Sequence, residues 1–219
     1  MIYKLRAIVL WSRRSRDADK IVGIYTDTRG RLTARATSAA RSIAKFVALT
    51  EPFVQCEMAI YLRPGDGWGK VVGGRLERSF PGLRTDLART TAAAWVCEVV
   101  HRLTAEEQSS PDKFALLSET LEALEGAAHY NLVRLAFALR FLSLAGFGLD
   151  NRDPWLELRQ RHPQWAADLL QLPMKTLGEV RWEDPLLTAL QNLAGGVVSD
   201  HLSHPLHVNR FRQMTGVEI

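Results

Sequence analysis

Cysteine is nearly absent. Cys56 and Cys97 are the only two in 219 residues, 41 positions apart and with no C-x-x-C pair. One chain therefore cannot build a four-cysteine zinc site, and a disulfide-stapled scaffold is excluded. Both thiols read as small apolar groups buried in a reducing cytosol. Long uncharged runs are lacking too. The most apolar stretch, Asn131 to Leu149, carries Arg134 and Arg140, whereas a spanning helix takes about 20 residues almost without charge. The run Ala7 to Trp11 has five residues with arginines after it. A signal peptide puts its charge before an apolar run of about 7–15. A cytoplasmic protein without a membrane partner is expected. Glycine (15) and proline (9) are too sparse for collagen or low-complexity disorder, and 47% apolar with 24% charged residues suits a packed protein. The length allows one large domain or two small ones.

Acidic residues are scarce in one place. Residues 1–80 hold 15 Lys/Arg against 7 Asp/Glu, a net of +8; residues 81–219 hold 13 against 17, a net of −4. The whole chain carries +4, with a sequence pI near 9.3. A basic first third on a mildly acidic remainder predicts two modules, one of which meets a polyanion. A solvated basic face without a partner is the plainer reading of the same charges.

The first module has strand periodicity. Tyr3, Leu5, Ala7, Val9 and Trp11 alternate with Lys4, Arg6, Ile8 and Leu10. A loop with Arg13, Arg14, Ser15, Arg16 and Asp17 follows, then a β-type run Ile21 to Thr26. Asp27-Thr28-Arg29-Gly30 reads as a hairpin turn with positive φ at Gly30. Next, Leu32, Ala34 and Ala36 face one way while Arg31, Thr33, Arg35 and Thr37 face the other. One small apolar face and one basic face suit a sheet that packs inward and meets phosphates outward. After a loop with Arg41 and Lys45, Val54 to Leu62 and Trp68 to Leu76 supply two more strands around the turn Arg63 to Gly67. Five short antiparallel strands fit a small closed barrel. The oligonucleotide/oligosaccharide-binding (OB) barrel is the known five-stranded case, and it binds along strands 2–3 and their flanking loops. Those elements carry Lys20, Arg29, Arg31, Arg35, Arg41 and Lys45, and Trp11, Tyr25 and Tyr61 are candidate base-stacking aromatics or core residues.

Phe80-Pro81-Gly82 marks the boundary, dividing the chain into 1–80 and 81–219. Beyond it the pattern is helical. Leu87, Trp95, Val96, Val99, Val100 and Leu103 form one stripe. Ser110-Pro111 gives a cap and a proline start, Phe114, Leu117, Leu121 and Leu124 line a face, and Gly126 is the stop. Asn131 to Ala145 is apolar nearly all round, as a central bundle helix is. Asp153-Pro154 and Asp184-Pro185 repeat the proline start, and Gly195-Gly196 is expected to close the last helix. Three tryptophans and two internal prolines in 151–183 predict short helices there.

These residues resemble the RecO family, bacterial mediators of recombination and DNA repair. The resemblance lies in Ala7-Ile8-Val9-Leu10 with Arg13-Arg14, Ala18 to Val22, Tyr25-Thr26 and Arg29-Gly30-Arg31-Leu32. It continues in Leu49 to Phe53, in Ser79 to Arg84, in Phe137 to Leu142 with Gly146-Phe147-Gly148, and in His201-Leu202, Pro205-Leu206 and Arg210. It implies an α+β protein, an N-terminal five-stranded OB-fold barrel followed by an all-helical domain. It implies binding of single- and double-stranded DNA, annealing of complementary strands, and action with RecR and the acidic tail of the single-stranded DNA-binding protein (SSB) to load the RecA recombinase, at the nucleoid. Three departures stand out. Many members carry four zinc-binding cysteines after the helix that ends here at Gly148, and this stretch has none, so no metal or other cofactor is carried over. The family's lysine-bearing run after strand three reads Thr37-Ser38-Ala39-Ala40-Arg41, and the glutamate usual in the central helix is Ala138.

On this reading Arg13, Arg14, Arg16, Lys20, Arg31, Arg35, Arg41 and Lys45 are the phosphate contacts, because a guanidinium fork pairs with phosphate oxygens. An acidic tail with an apolar end needs an apolar pocket rimmed by a cation, which Arg134 and Arg140 are placed to supply. An enzyme is the first rival reading. His201, His204 and His207 superficially resemble a metal cluster, but Pro205 interrupts them. Gly65 to Gly74 lacks the Gly-Lys-Ser/Thr ending of a phosphate loop. No catalytic residues are assigned. The second rival is an interaction adaptor that keeps the barrel and binds no DNA; the +8 charge of residues 1–80 argues against it.

Overall fold

The structure is a computed structural model. It describes residues 1–15, 18–37, 39, 46–63, 67–147, 149, 152–182, 185–202, 204 and 206–208. The chain divides into two compact units, Met1–Phe80 with Val100–Phe114, and Pro81–Val99 with Ala115–Ile219.

The first unit is built on β1 (Ile2–Ser15), β2 (Asp19–Thr26), β3 (Gly30–Ala36), β4 (Gln55–Tyr61) and β5 (Gly69–Arg78). They close into a barrel in the order β1-β2-β3-β5-β4. Closure comes from a short parallel pairing, Ala34 with Gly69 and Arg35 with Lys70; the other neighbours are antiparallel. Alternation decides what goes inside. Leu5, Ala7, Val9, Val22, Ile24, Leu32, Ala34, Ala36, Val54, Cys56, Met58, Ile60 and Val71 fill the interior. Ala34 and Ala36 keep the inward face of β3 small where the five-stranded barrel closes on β5. Burial, and secondarily Glu77, pushes the Cys56 thiol up to about 12, so it behaves as an inert core group. The hairpin between β2 and β3 turns at Gly30, whose φ is +64°. The Thr26 hydroxyl donates to the Gly30 carbonyl at 2.9 Å and locks it.

β1 is longer than its sequence pattern predicts. A bulge between Val9 and Trp11 shifts the register, and pairing with β2 then continues from Trp11–Gly23 to Ser15–Asp19. Arg13 and Arg14, expected in a loop, therefore sit on a strand. The bulge also re-aims Trp11 so that its indole lies across Gly23, where an added Cβ would come within 2.1 Å of the indole nitrogen. That nitrogen donates to His101 Nδ1 at 3.3 Å, so the ring is held on both sides. Gly23→Ala should therefore cost about 1–3 kcal/mol by overpacking. Urea unfolding checks this, and Gly23→Ala combined with Trp11→Leu should recover most of the loss.

The outer face of the β2–β3 hairpin is covered by residues Val100 to Phe114 of the same unit. Arg31 Nε donates to the Thr104 carbonyl at 3.0 Å, Glu107 N donates to the Arg31 carbonyl at 3.1 Å, and Arg31 pairs with Glu106 at 3.5 Å. The Gln108 backbone packs on Gly30, and Arg6 lies over the Phe114 ring at 5.7 Å. This cover caps the stretch of β3 that β5 leaves unpaired, an exposed edge otherwise prone to aggregation.

The second unit holds the helices: α1 (Leu87–Leu103, whose last turn belongs to the first unit), α2 (Pro111–Gly126, whose first turn does too), α3 (Tyr130–Leu144), α4 (Asp153–Arg161), α5 (Pro163–Gln171), α6 (Met174–Glu179) and α7 (Pro185–Asp200). The apolar run predicted as a central helix is α3. Nine of its residues between Leu132 and Leu142 are buried, and it packs against α5, α6 and α7. The 151–183 segment forms the three short helices α4, α5 and α6, with Pro154 and Pro163 in first turns where a missing N–H costs nothing. The last helix differs from expectation. α7 runs through Gly195 and Gly196 to Asp200, because its buried face continues in Ala194, Val197 and Val198. Packing of that face outweighs the helix cost of two glycines, about 1 kcal/mol each.

Candidate nucleic-acid interface

Strand parity sorts the predicted basic residues. Ile21 pairs with Arg13 on one side and Arg35 on the other, and Arg35 pairs in turn with Lys70 of β5, which pairs with Tyr61 of β4. Partners in register point to the same side of a sheet, and adjacent strands lie about 4.8 Å apart. Arg13, Arg35, Lys70 and Tyr61 thus form one lateral row on the outside of the barrel, crossing all five strands. All four are exposed, and Ile21, which shares their outward parity on β2, is buried. Among the described residues, Arg35 and Lys70 pair with no carboxylate. Arg13 lies 5.7 Å over the Trp11 ring. Arg14 is exposed one residue further along β1, paired in register with Lys20.

This row sits at one end of the barrel. The β1–β2 connection follows Ser15 and the β4–β5 connection follows Tyr61, so both open beside it. That is the end at which five-stranded barrels of this kind bind oligomers. Lys70 was not among the sequence candidates. Only the parallel β3–β5 pairing brings it beside Arg35, and no local pattern announces a contact 35 residues away.

The remaining candidates fall elsewhere. Lys20 shares the inward parity of Ala36, and its ammonium reaches Glu51 at 2.6 Å. Arg31 is engaged by Thr104 and Glu106 and is largely buried, so it holds the 100–114 cover. A double charge reversal at Arg31 and Arg35 would therefore mix a folding effect with a binding effect. Arg29 stacks 4.1 Å over the Tyr3 ring. Arg16, Arg41 and Lys45 lie outside the described residues. Of the three candidate stacking aromatics, Tyr25 is fully buried under the cover and Trp11 is tied to His101; Tyr61 is 42% exposed.

The helical unit places its two candidates differently. Arg140 turns inward. Its Nε donates to the Leu169 carbonyl at 2.9 Å and a terminal nitrogen donates to the Leu172 carbonyl, so it caps the end of α5. The guanidinium of Arg134 lies 5.5 Å over the Trp95 ring. The C-terminal histidines diverge: His201 stacks at 3.9 Å on Phe147 while its Nδ1 lies 2.8 Å from the Val197 carbonyl, and the His207 backbone N–H donates to Glu98. Among the described residues no group of three metal-ligating side chains converges, and no helix is long and apolar enough to cross a membrane.

The cover carries its own pH signature. Burial, then the charges of Arg31 and Arg102, pushes His101 down to about 4. The unfolded chain, with histidine near 6.5, binds more protons than the folded one between those values. Stability should therefore fall as pH drops from about 6.5 to about 4 and level off below. Urea unfolding across that range checks this, and His101→Gln, which keeps an acceptor for the Trp11 N–H, should remove that part of the slope.

Two family models match consecutively along the chain, the recombination protein O N-terminal model over residues 1–80 and the recombination protein O C-terminal model over residues 84–153. The chain belongs to the RecO family. The N-terminal match coincides with the five barrel strands, and the C-terminal match ends where α4 begins. Curated relatives agree. The chain is 32% identical over 144 residues to a "DNA repair protein RecO" of Pelobacter propionicus, covering 66% of this chain and 58% of that protein. It is 34% identical over 149 residues to the protein so named in Rubrobacter xylanophilus, covering 67% and 58%, and 32% identical over 149 residues to that of Desulforamulus reducens, covering 68% and 57%. The matched region thus spans less than two thirds of these relatives' length. The barrel is the OB-type barrel that the family resemblance implies, followed by helices.

Proposed function

We propose that this chain is a DNA-binding recombination mediator of the RecO type. It holds single- and double-stranded DNA on the outer row of the barrel, and it lets complementary strands anneal. The observation that carries the reading is the Arg13–Arg35–Lys70 row at the loop end of an OB-type barrel, on a chain of this family. Annealing makes no covalent bond. Its barrier is the repulsion of two polyanions, and each cation on a phosphate releases counterions and lowers that barrier. Arginine adds a planar fork that pairs with two phosphate oxygens.

The same proposal assigns RecR, the SSB tail and, indirectly, RecA as partners. An acidic tail with an apolar end suits a cation held on an aromatic ring, as Arg134 is on Trp95. The test is annealing of complementary strands coated with SSB. Acceleration by this protein that fades with salt and disappears when the SSB tail is deleted supports both assignments. Failure to bind either DNA or the tail would leave the barrel as an adaptor scaffold and overturn the proposal.

A further inference from the structure

The aromatic residues of the barrel unit fall into two groups. Tyr25, Phe53, Phe80 and Phe114 are buried. Trp11 is held by His101, Tyr3 lies under Arg29, and Phe46 packs on the core. Tyr61 and Trp68 stand apart, 42% and 45% exposed. They flank the β4–β5 connection, one at the end of β4 and the other just before β5. Tyr61 is in register with Lys70, and Trp68 precedes Lys70 by two residues, on the same outward parity. Extending the parallel β3–β5 register by one residue sets Trp68 opposite Thr33, next to Arg35. Two exposed rings therefore adjoin Arg35 and Lys70, which pair with no carboxylate among the described residues.

Cations alone grip a phosphate backbone and do not distinguish duplex from single strand. Exposed rings beside them add a feature that only unstacked bases can use, because a base in a duplex already has both faces covered. A protein partner with an apolar face would explain the rings but not the cations in register with them; charge complementarity selects a polyanion with aromatic groups. We propose that Tyr61 and Trp68 are base-stacking residues that make this surface prefer single-stranded nucleic acid, with Arg35 and Lys70 holding the adjoining phosphates. The proposal rests on the nucleic-acid reading of the row and adds to it the part of the ligand recognised.

The test uses the full chain and two dye-labelled probes of equal length, an oligothymidine and an abasic phosphodiester oligomer, read by anisotropy. The wild type should bind oligothymidine more tightly than the abasic strand. Trp68→Ala should weaken oligothymidine binding roughly tenfold and leave abasic binding and the salt slope unchanged. Tyr61→Ala should act in the same direction, and Trp68→Phe should restore binding to within about twofold, since a phenyl ring still stacks. If the wild type binds both probes equally, or if Trp68→Ala weakens both alike, stacking is overturned while the charged row stands. If the wild type binds neither probe, the nucleic-acid reading fails and this inference with it.

Discussion

Replacing Arg13, Arg35 and Lys70 together by glutamine should lower the slope of log K against log salt for single-stranded DNA by about 2, from about 0.7 per phosphate contact. The loss should be greatest at low salt and shrink as salt rises, because screening already weakens the wild-type contacts. The three residues are exposed and lie on three different strands of one row, so the substitutions leave the barrel core intact. Glutamine keeps the side-chain stem and polarity, so the change reports charge. Fluorescence titrations at several salt concentrations give the slope directly. Lys20→Gln is the matched control: its ammonium is already paired with Glu51, so the slope should move by much less than 0.7. An unchanged slope in the triple variant would remove the row from the binding surface.

Arg140→Met should destabilise the helical unit by about 3 kcal/mol. The guanidinium donates to the carbonyls of Leu169 and Leu172, the last turn of α5 and the residue after it. Glu119 completes the arrangement by accepting the Met174 N–H at 2.8 Å, and its charge favours the charged form of Arg140 against burial. Methionine fills similar volume but leaves carbonyls without donors and removes the cation near Glu119. Hydrogen bonds from a charged group are worth about 1.5–3 kcal/mol each, which sets the scale. Hydrogen exchange should show the loss as faster exchange through α5 and α6, with the barrel strands unaffected. DNA binding to the barrel row should survive. If Arg140→Met left stability intact but abolished binding of an acidic peptide, the surface role first expected for Arg140 would be restored.

How much of this was legible in the sequence depends on how far apart the interacting residues lie. Strand alternation, the Gly30 turn and the proline helix starts are local and were readable. The inward face of β3, Leu32, Ala34 and Ala36, lies where its spacing puts it. Tyr25 and Tyr61 show the limit. Both occupy outward positions on strands, so parity treats them alike. Tyr25 is buried because residues 100–114 lie over it, and Tyr61 has no such cover. Arg31 and Arg35 share one outward face, yet the first is engaged by a carbonyl 73 positions away and the second is exposed. Lys70 joins Arg35 only through barrel closure. Gly195 and Gly196 read as a stop because their weak helix propensity is local, while the burial of Val197 and Val198 that carries α7 past them is tertiary.

The central claim is that the row at the loop end of the barrel is where nucleic acid lies. Lysine footprinting by acetylation and mass spectrometry tests it most directly, since Lys70 is exposed in the row and Lys175 is exposed on α6 in the other unit. With saturating oligothymidine, Lys70 should become protected and Lys175 should react at its unbound rate. High salt should reverse the protection. Lys70 reacting unchanged while DNA is bound, with protection appearing on Lys175 instead, would contradict the account.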